Sequence, residues 1–360
     1  MTGPDIERTV ASRAAEADRD DGDLSADIGL LRDAGWLTAC LPGSVGGQGW
    51  GTDPDGTMAA FDALRSLGRA NLSVARLFEG HMNAVKLVFL YGDERLRAET
   101  VSAVGDGILF GVWGADDATS PLSIAAGNGT TYLHGAKRFA SGLGLVGRAV
   151  VSAPTQQGLQ LLLVPIDDEG RSDPSCWRMG GMRATRSGRY DFDGVAIVDL
   201  CRMGAPDDYL REPYFEGGIW RYCAAHLGAA EALYDAMRTG LRIRGRADDP
   251  QQQLRLFDAA IAVETARLWL RRAAMAVEAI DARPETATLS LIAREVTERS
   301  CRKVMETVQR ALGTAAHVAG SPIERICRDL SLFLCQAAPD AKNARAAAAL
   351  TCHDGALGAL

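Results

Sequence analysis

The sequence predicts a mainly α-helical protein with a central β domain. Three observations carry that class. Residues 5 to about 108 place apolar side chains at helical spacing. Residues 109–205 change to short apolar runs with turn signals and frequent glycine. From about 213 onward, long helical periodicity returns. The implied organisation is an N-terminal helical domain (1–108), a middle β domain (109–205) and a C-terminal helical bundle (206–360).

In the first region, "DIGLLRDAGWLTACL" sets Ile28, Leu30, Leu31 and Trp36 on one helical face. The string "LSVARLFEGHMNAVKLVFLYGDERLRAETVSAV" continues the pattern with few breakers. Between them "LPGSVGGQGWGTDPDG" is dense in Gly and Pro, and therefore a loop. Its "GGQGWG" run follows no strand pattern and lacks the G-x-G-x-x-G spacing. It reads as a turn-rich segment lining a cleft, not as a dinucleotide fingerprint. In the middle region, "RAVVSA" and "LQLLLVPI" are separated by "PTQQG", a hairpin signal. With "RYDFDGVAIVD" they predict an antiparallel sheet or barrel packed on something else. Three long helical segments and a shorter alanine-rich one follow. Alanine on their apolar faces suits a close-packed bundle. Those helices are apolar around much of their circumference, which predicts a homo-oligomer, a dimer or a tetramer.

The 360 residues are 47% hydrophobic and 24% charged, with a formal net charge of −7. Without a basic block, nucleic acid and anionic membranes are not expected partners. The eight cysteines form no CxxC pair, and the five histidines form no HxxxH or HExxH. Reduced thiols and no metal site are expected. The acidic N-terminus lacks a signal-peptide apolar core, and no run approaches ~18 uncharged apolar residues. The expectation is a cytoplasmic protein.

The helix, sheet, bundle order and several strings together resemble the acyl-CoA dehydrogenase family of flavoproteins. "LPGSVGGQGWG" is similar to that family's Pro…Gly-Gly-x-Gly loop. "YGDERLRAETVSAVGDGILFGVWGADD" resembles the entry to its middle domain, where the family has Thr-Glu-Pro. "HGAKRFASG" and "MGGMRATRSGRYDFDGVAIVD" resemble its segments beside the flavin ring, and "VQRALGTAAHVAGSPIERICRDL" falls where the bundle motifs should. The resemblance covers nearly the whole chain. It implies an FAD-dependent oxidoreductase with a helical domain, a β-barrel and a four-helix bundle.

Residue by residue, the resemblance sets Trp113, Gly114, Phe139 and Ser141 near the flavin ring. It sets Arg244, one of three arginines in "LRIRGR", near the flavin pyrophosphate across a subunit interface, where a guanidinium fork matches phosphate. The bland reading of those arginines is a solvated helix end. Gln309 and Gly313 match an adenine-binding segment, although its second glycine is Thr314 here. Asp116 and Asp117 read as solvated loop acids, and His317 as a packed or capping residue.

The family's base is a carboxylate that takes the α-proton of an acyl thioester. Its usual position falls on Ala337, and the Gly-Thr-x-Gln that follows is replaced by Ala338-Pro339-Asp340-Ala341. Some members carry the base on the first bundle helix, where this chain has Glu216, with Arg221 as the expected substrate-binding residue. Glu216 also reads simply as an acidic residue favouring a helix N-terminus, worth ~0.3–1 kcal/mol. The first expectation is therefore oxidation of a carrier-bound acyl group, with Glu216 as base and an electron-transfer partner. The alternative is a flavin monooxygenase on the same fold, since "KRFASG" resembles that branch and its chemistry needs no carboxylate at 337. A third reading is a non-catalytic homologue, favoured by Ala337, Thr314 and the missing Thr-Glu.

Overall fold

Helix start signals and alanine-lined faces set the frame of the molecule. A computed structural model describes residues 3–20, 22–127, 130–198, 201–336 and 338–356. Ala337 lies outside the described residues. The first region folds as α1 (Gly3–Ala17), α2 (Ser25–Asp33), α3 (Trp36–Ala39), α4 (Thr57–Ala70), α5 (Leu72–Tyr91) and α6 (Glu94–Gly105). α5 begins where Asn71 Oδ1 accepts the Ser73 N–H at 2.9 Å, and α6 where Asp93 accepts that of Leu96 at 2.8 Å. Each such cap satisfies a leftover helix-end donor and is worth ~1 kcal/mol. α5 is buried along most of its length, its charged Glu79 and Lys86 included.

The middle region contains β1 (Leu109–Trp113), β2 (Ser123–Gly127), β3 (Thr130–His134), β4 (Ala136–Ala140), β5 (Val146–Thr155), β6 (Gly158–Pro165), β7 (Ser172–Asp173), β8 (Gly188–Asp191), β9 (Val195–Ile197) and β10 (Arg202–Met203). They pair as β1-β5-β6-β10, β2-β3-β9 and β4-β8-β7. The expected hairpin is β5–β6, closing from Thr155 to Gly158. The sheet is not wholly antiparallel, because β1 pairs parallel with β5. A parallel pair needs a long crossover, and residues 114–145, including β2–β4, supply it.

The bundle comprises α7 (Trp220–Ile243), α8 (Pro250–Val277), α9 (Ala287–Leu312) and α10 (Pro322–Phe333), followed by α11 (Pro339–Thr351). α4 packs directly on α7 at a crossing made by two glycines. A Cβ on Gly68 would stand 2.1 Å from the Ala225 carbonyl oxygen, and one on Gly228 1.9 Å from that of Arg65. α8 buries Ala259, Val263, Ala266, Leu270, Ala273 and Val277 inward. Its outer face shows Leu254, Phe257, Ile261, Leu268 and Met275, each 51–62% exposed.

Among the described residues, no helix is long and apolar enough to cross a membrane, and no His/Cys/Asp/Glu group could hold a metal. All eight cysteines are free.

Candidate functional site

A cavity of about 630 Å³ opens between the β region and the helices, within the usual range for small-molecule and cofactor sites. Its sheet wall grows from "HGAKRFASG". Lys137 on β4 is fully buried, and its Nζ donates to Asp116 Oδ1 at 2.7 Å and to the Gly114 carbonyl at 3.1 Å. Burial pushes the Lys137 pKa down, and the Asp116 carboxylate opposes that shift. The pair fastens the 114–116 turn to the strand. The β4–β8 register slips between Lys137 and Ala140, and Phe139 takes a left-handed φ of 54°. Its ring therefore stands out into the cavity, 47% exposed, edge-on to Trp177 at 6.1 Å.

Beside Phe139 runs a file of hydroxyls. Thr185 Oγ1 donates to the Met182 carbonyl at 2.7 Å and lies 2.8 Å from Ser187 Oγ. Ser187 Oγ donates to Ser141 Oγ at 2.9 Å, and all three line the cavity. The Ser141 hydroxyl proton meets only the Phe139 carbonyl, at a weak 3.5 Å. Trp113 does not reach the cavity wall. It is 2% exposed, lies against Tyr190 and Phe192, and donates its indole N–H to the Ser141 carbonyl at 3.0 Å. It supports Ser141 from behind.

The helical wall carries the charge. Arg76, Glu79, Asn83, Lys86, Leu87 and Leu90 share one face of α5. Glu79 is held by Arg76 and Asn83. The carboxylate of Glu278, at the end of α8, sits between Lys86 and Arg221 and also accepts the Trp220 indole N–H at 3.0 Å. Burial works against the charged form of Glu278, but Arg221 and Lys86 outweigh it and hold its pKa down. Burial likewise drives Lys86 down to about 8, with Glu278 resisting.

Glu216, just ahead of α7, is buried on the cavity wall. Its Oε1 receives Arg345 and, at 3.5 Å, Lys342, both from α11. The floor is tied across regions by Asp329 of α10, whose carboxylate accepts the Met182 N–H at 2.6 Å. Burial raises Asp329 to about 6. Next to it, Arg328 reaches Asp18 of the N-terminal region and the Gly180 carbonyl.

The structure thus gathers Gly114, Phe139, Ser141, Glu216 and Arg221 at one cavity. It sets Arg244, Gln309 and Gly313 elsewhere. Arg244 follows the far end of α7, with Nη1 3.5 Å from the Leu312 carbonyl, roughly 35 Å along the helix from Arg221 at the usual rise per residue. Two sequence expectations change. Asp116 and Asp117 are not merely solvated: Asp116 is paired to a buried lysine, and Asp117 accepts Thr119 and Ser120 N–H groups as a turn cap. His317 is exposed instead of packed.

Lys86, Glu79 and Glu278 escaped the sequence reading. The available signal for the first two was in α5, where three charges, Arg76, Glu79 and Lys86, fall on one face of a largely apolar helix.

Sequence models of "Acyl-CoA dehydrogenase, N-terminal domain" and "Acyl-CoA dehydrogenase, C-terminal domain" match residues 6–107 and 221–338. A 3-sulfinopropanoyl-CoA desulfinase of Advenella mimigardefordensis is 25% identical over 90% of this chain and 84% of its own. A dibenzothiophene monooxygenase of Rhodococcus erythropolis is 25% identical over 65% of this chain, a match that spans 60% of the relative's length. The FMN-bound structure of TdsC from Paenibacillus sp. A11-2 superposes with a TM-score of 0.83 at 19% identity, covering 96% of this chain and 95% of that one.

Proposed function

Because the chain belongs to the acyl-CoA dehydrogenase family, we propose that it is a flavin-dependent monooxygenase of that family, working with FMN that a separate reductase delivers reduced. One observation carries this reading. Among the described residues that line the cavity there are two carboxylates, and both are ion-paired: Glu79 with Arg76, beside Asn83, and Glu216 through Oε1 with Lys342 and Arg345. A general base must stand within reach of its proton, and the family's usual position for that base is Ala337 in this sequence. Dehydrogenation through Glu216 would have to use Oε2, with Lys342 and Arg345 both on Oε1.

The residues present fit a flavin. The sheet wall offers an exposed aromatic ring, a hydroxyl with a weakly held proton at Ser141, and the backbone of Gly114 and Ala115. Hydroxyls and backbone N–H groups are the donors that bind a flavin edge and tune it. FMN is favoured over FAD because Thr314 replaces a glycine of the adenine segment. Bound reduced flavin supplies two electrons to dioxygen, one oxygen atom entering the substrate and the other leaving as water. The chain's part is to orient and to exclude water. Thr185, Ser187 and Ser141 form a file along which a proton can shift at the flavin edge. Tyr209, Tyr214 and Phe215 add aromatic surface to the lining.

The test supplies protein, FMN, a flavin reductase and NADH, with indole and dibenzothiophene as first probes because relatives act on or bind them. Substrate-dependent oxygen uptake with a product heavier by one oxygen atom supports the reading. Anaerobic bleaching of bound flavin by an acyl-CoA thioester, without reductase, overturns it in favour of dehydrogenation.

A further inference from the structure

The chain is acidic overall, at −7, yet its cavity is cationic. Arg76, Lys86, Arg138, Arg221 and Lys342 face it, against Glu79 and Glu216. Counting the buried Glu278 behind the wall, cations still exceed carboxylates by two. The imbalance is sharpest where Lys86 and Arg221 share the single carboxylate of Glu278. A low-dielectric cleft lined by one sign of charge concentrates ligands of the other sign.

Arg221 is placed to use that field. Its side chain is 3% exposed, so its donors cannot be satisfied by bulk water. Nη2 is spent on Glu278 and lies 3.5 Å from the Gly51 carbonyl, and Nη1 reaches Asn83 Oδ1 at 3.3 Å. Nε is buried with no partner. A guanidinium has five N–H groups, so the Nε–H and a second Nη1–H remain, on different edges of the plane because Nη1 lies on the Cδ side and Nε–H on the Nη2 side. A glycine stands beside each of these two donors. A Cβ on Gly218 would stand 2.8 Å from Nη1, and one on Gly51 3.5 Å from Nε. Gly218 lines the cavity and carries no side chain to cover Nη1, which leaves that N–H open to a ligand.

We propose that the substrate carries a small oxyanion of the carboxylate class, and that Arg221, braced by Glu278 and with Lys86 beside it, receives that group. The apolar body of the substrate lies along Leu87, Leu90, Ile219 and Phe215. The inference rests on this cavity being the substrate site of the oxygenase proposed above. A neutral isostere would leave a buried donor unpaired, which is how a polar pocket rejects a look-alike.

The experiment compares benzoate with benzamide, titrated by calorimetry into wild-type protein saturated with FMN. Benzoate is expected to bind at least ~10-fold more tightly, the factor given by one charge-assisted hydrogen bond. Arg221→Gln should bring the two probes within ~2-fold while the Kd for FMN stays within ~3-fold. Equal binding in wild type, no benzoate binding at all, or a preference that survives in Arg221→Gln overturns the proposal. So does a parallel loss of FMN and benzoate affinity, because the anion received would then be the flavin's own phosphate. If Arg221→Gln does not fold, Gly218→Ala decides. It leaves the ion pairs in place but crowds Nη1, and the preference should fall; an unchanged preference overturns the proposal. Should wild-type protein bind no FMN, the oxygenase reading fails on its own, and the benzoate comparison on flavin-free protein still decides the anion site.

Discussion

Arg345 on α11 holds the carboxylate of Glu216 at the entrance to α7. The contact joins the last described helix of the chain to the first helix of the bundle, with Lys342 closing the same carboxylate from inside. It makes Glu216 a clamp. Glu216→Gln should therefore cost stability more than rate. Lys342, 9% exposed, would lose its counter-charge, and the expected loss is ~1–3 kcal/mol in denaturant unfolding. Oxygen-dependent turnover should stay within ~10-fold of wild type, well short of the 10²–10⁴-fold effect of losing a general base. A larger fall in rate with unchanged stability would assign Glu216 to catalysis.

Asp329 is expected to give the protein a measurable pH signature. Its folded pKa, near 6, lies above its ordinary value of 3.8, so between those pH values the folded state binds more protons than the unfolded state. Stability from this group therefore falls as pH rises from 4 through 6. Asp329→Asn keeps an acceptor for the Met182 N–H and removes the charge. Its unfolding midpoint should match or exceed wild type at pH 8, and the difference should shrink at pH 5. Asp329→Ala, which strands that N–H, should instead lose ~1–3 kcal/mol at both pH values.

Lys86 predicts the pH range of anion binding. Burial lowers it to about 8, so it is charged at pH 7 and largely neutral at pH 9. The preference for benzoate over benzamide should weaken across that interval. Lys86→Met should show a smaller preference at pH 7 and no comparable decline. A flat wild-type profile would remove Lys86 from the anion site.

The glycine crossing of α4 and α7 tolerates no side chain. Gly228→Ala should destabilise the fold by ~1–3 kcal/mol, the range for overpacking, because the obstacle is the backbone of Arg65 and not a movable side chain. Thermal unfolding of Gly228→Ala against Gly245→Ala, where a Cβ meets nothing but φ is positive, separates crowding from backbone strain.

The outer face of α8 is expected to meet another copy of the chain. Leu254, Phe257, Ile261, Leu268 and Met275 recur at spacings of three, four and seven residues and leave a long apolar stripe exposed. Phe257→Arg with Leu268→Glu should lower the sedimenting mass to that of a monomer. A wild-type monomer at micromolar concentration would refute the expectation.

Sequence alone determined the elements, because each is written in local chemistry. Period and breakers gave the helix, sheet, bundle order, and "PTQQG" gave the β5–β6 hairpin. The string "HGAKRFASG" pointed to Phe139 and Ser141, and both line the cavity. Tertiary structure decided which charges meet. Nothing local pairs Glu278 with Lys86, 192 residues earlier, or Glu216 with Lys342, 126 residues later. A buried charge takes a partner wherever the fold brings one, since leaving it unpaired in a low-dielectric interior costs more than the long loop that closes the pair. The same argument explains Trp113: its indole sits behind Ser141 because β1 pairs parallel with β5, a choice settled by the crossover and not by the five residues of the strand.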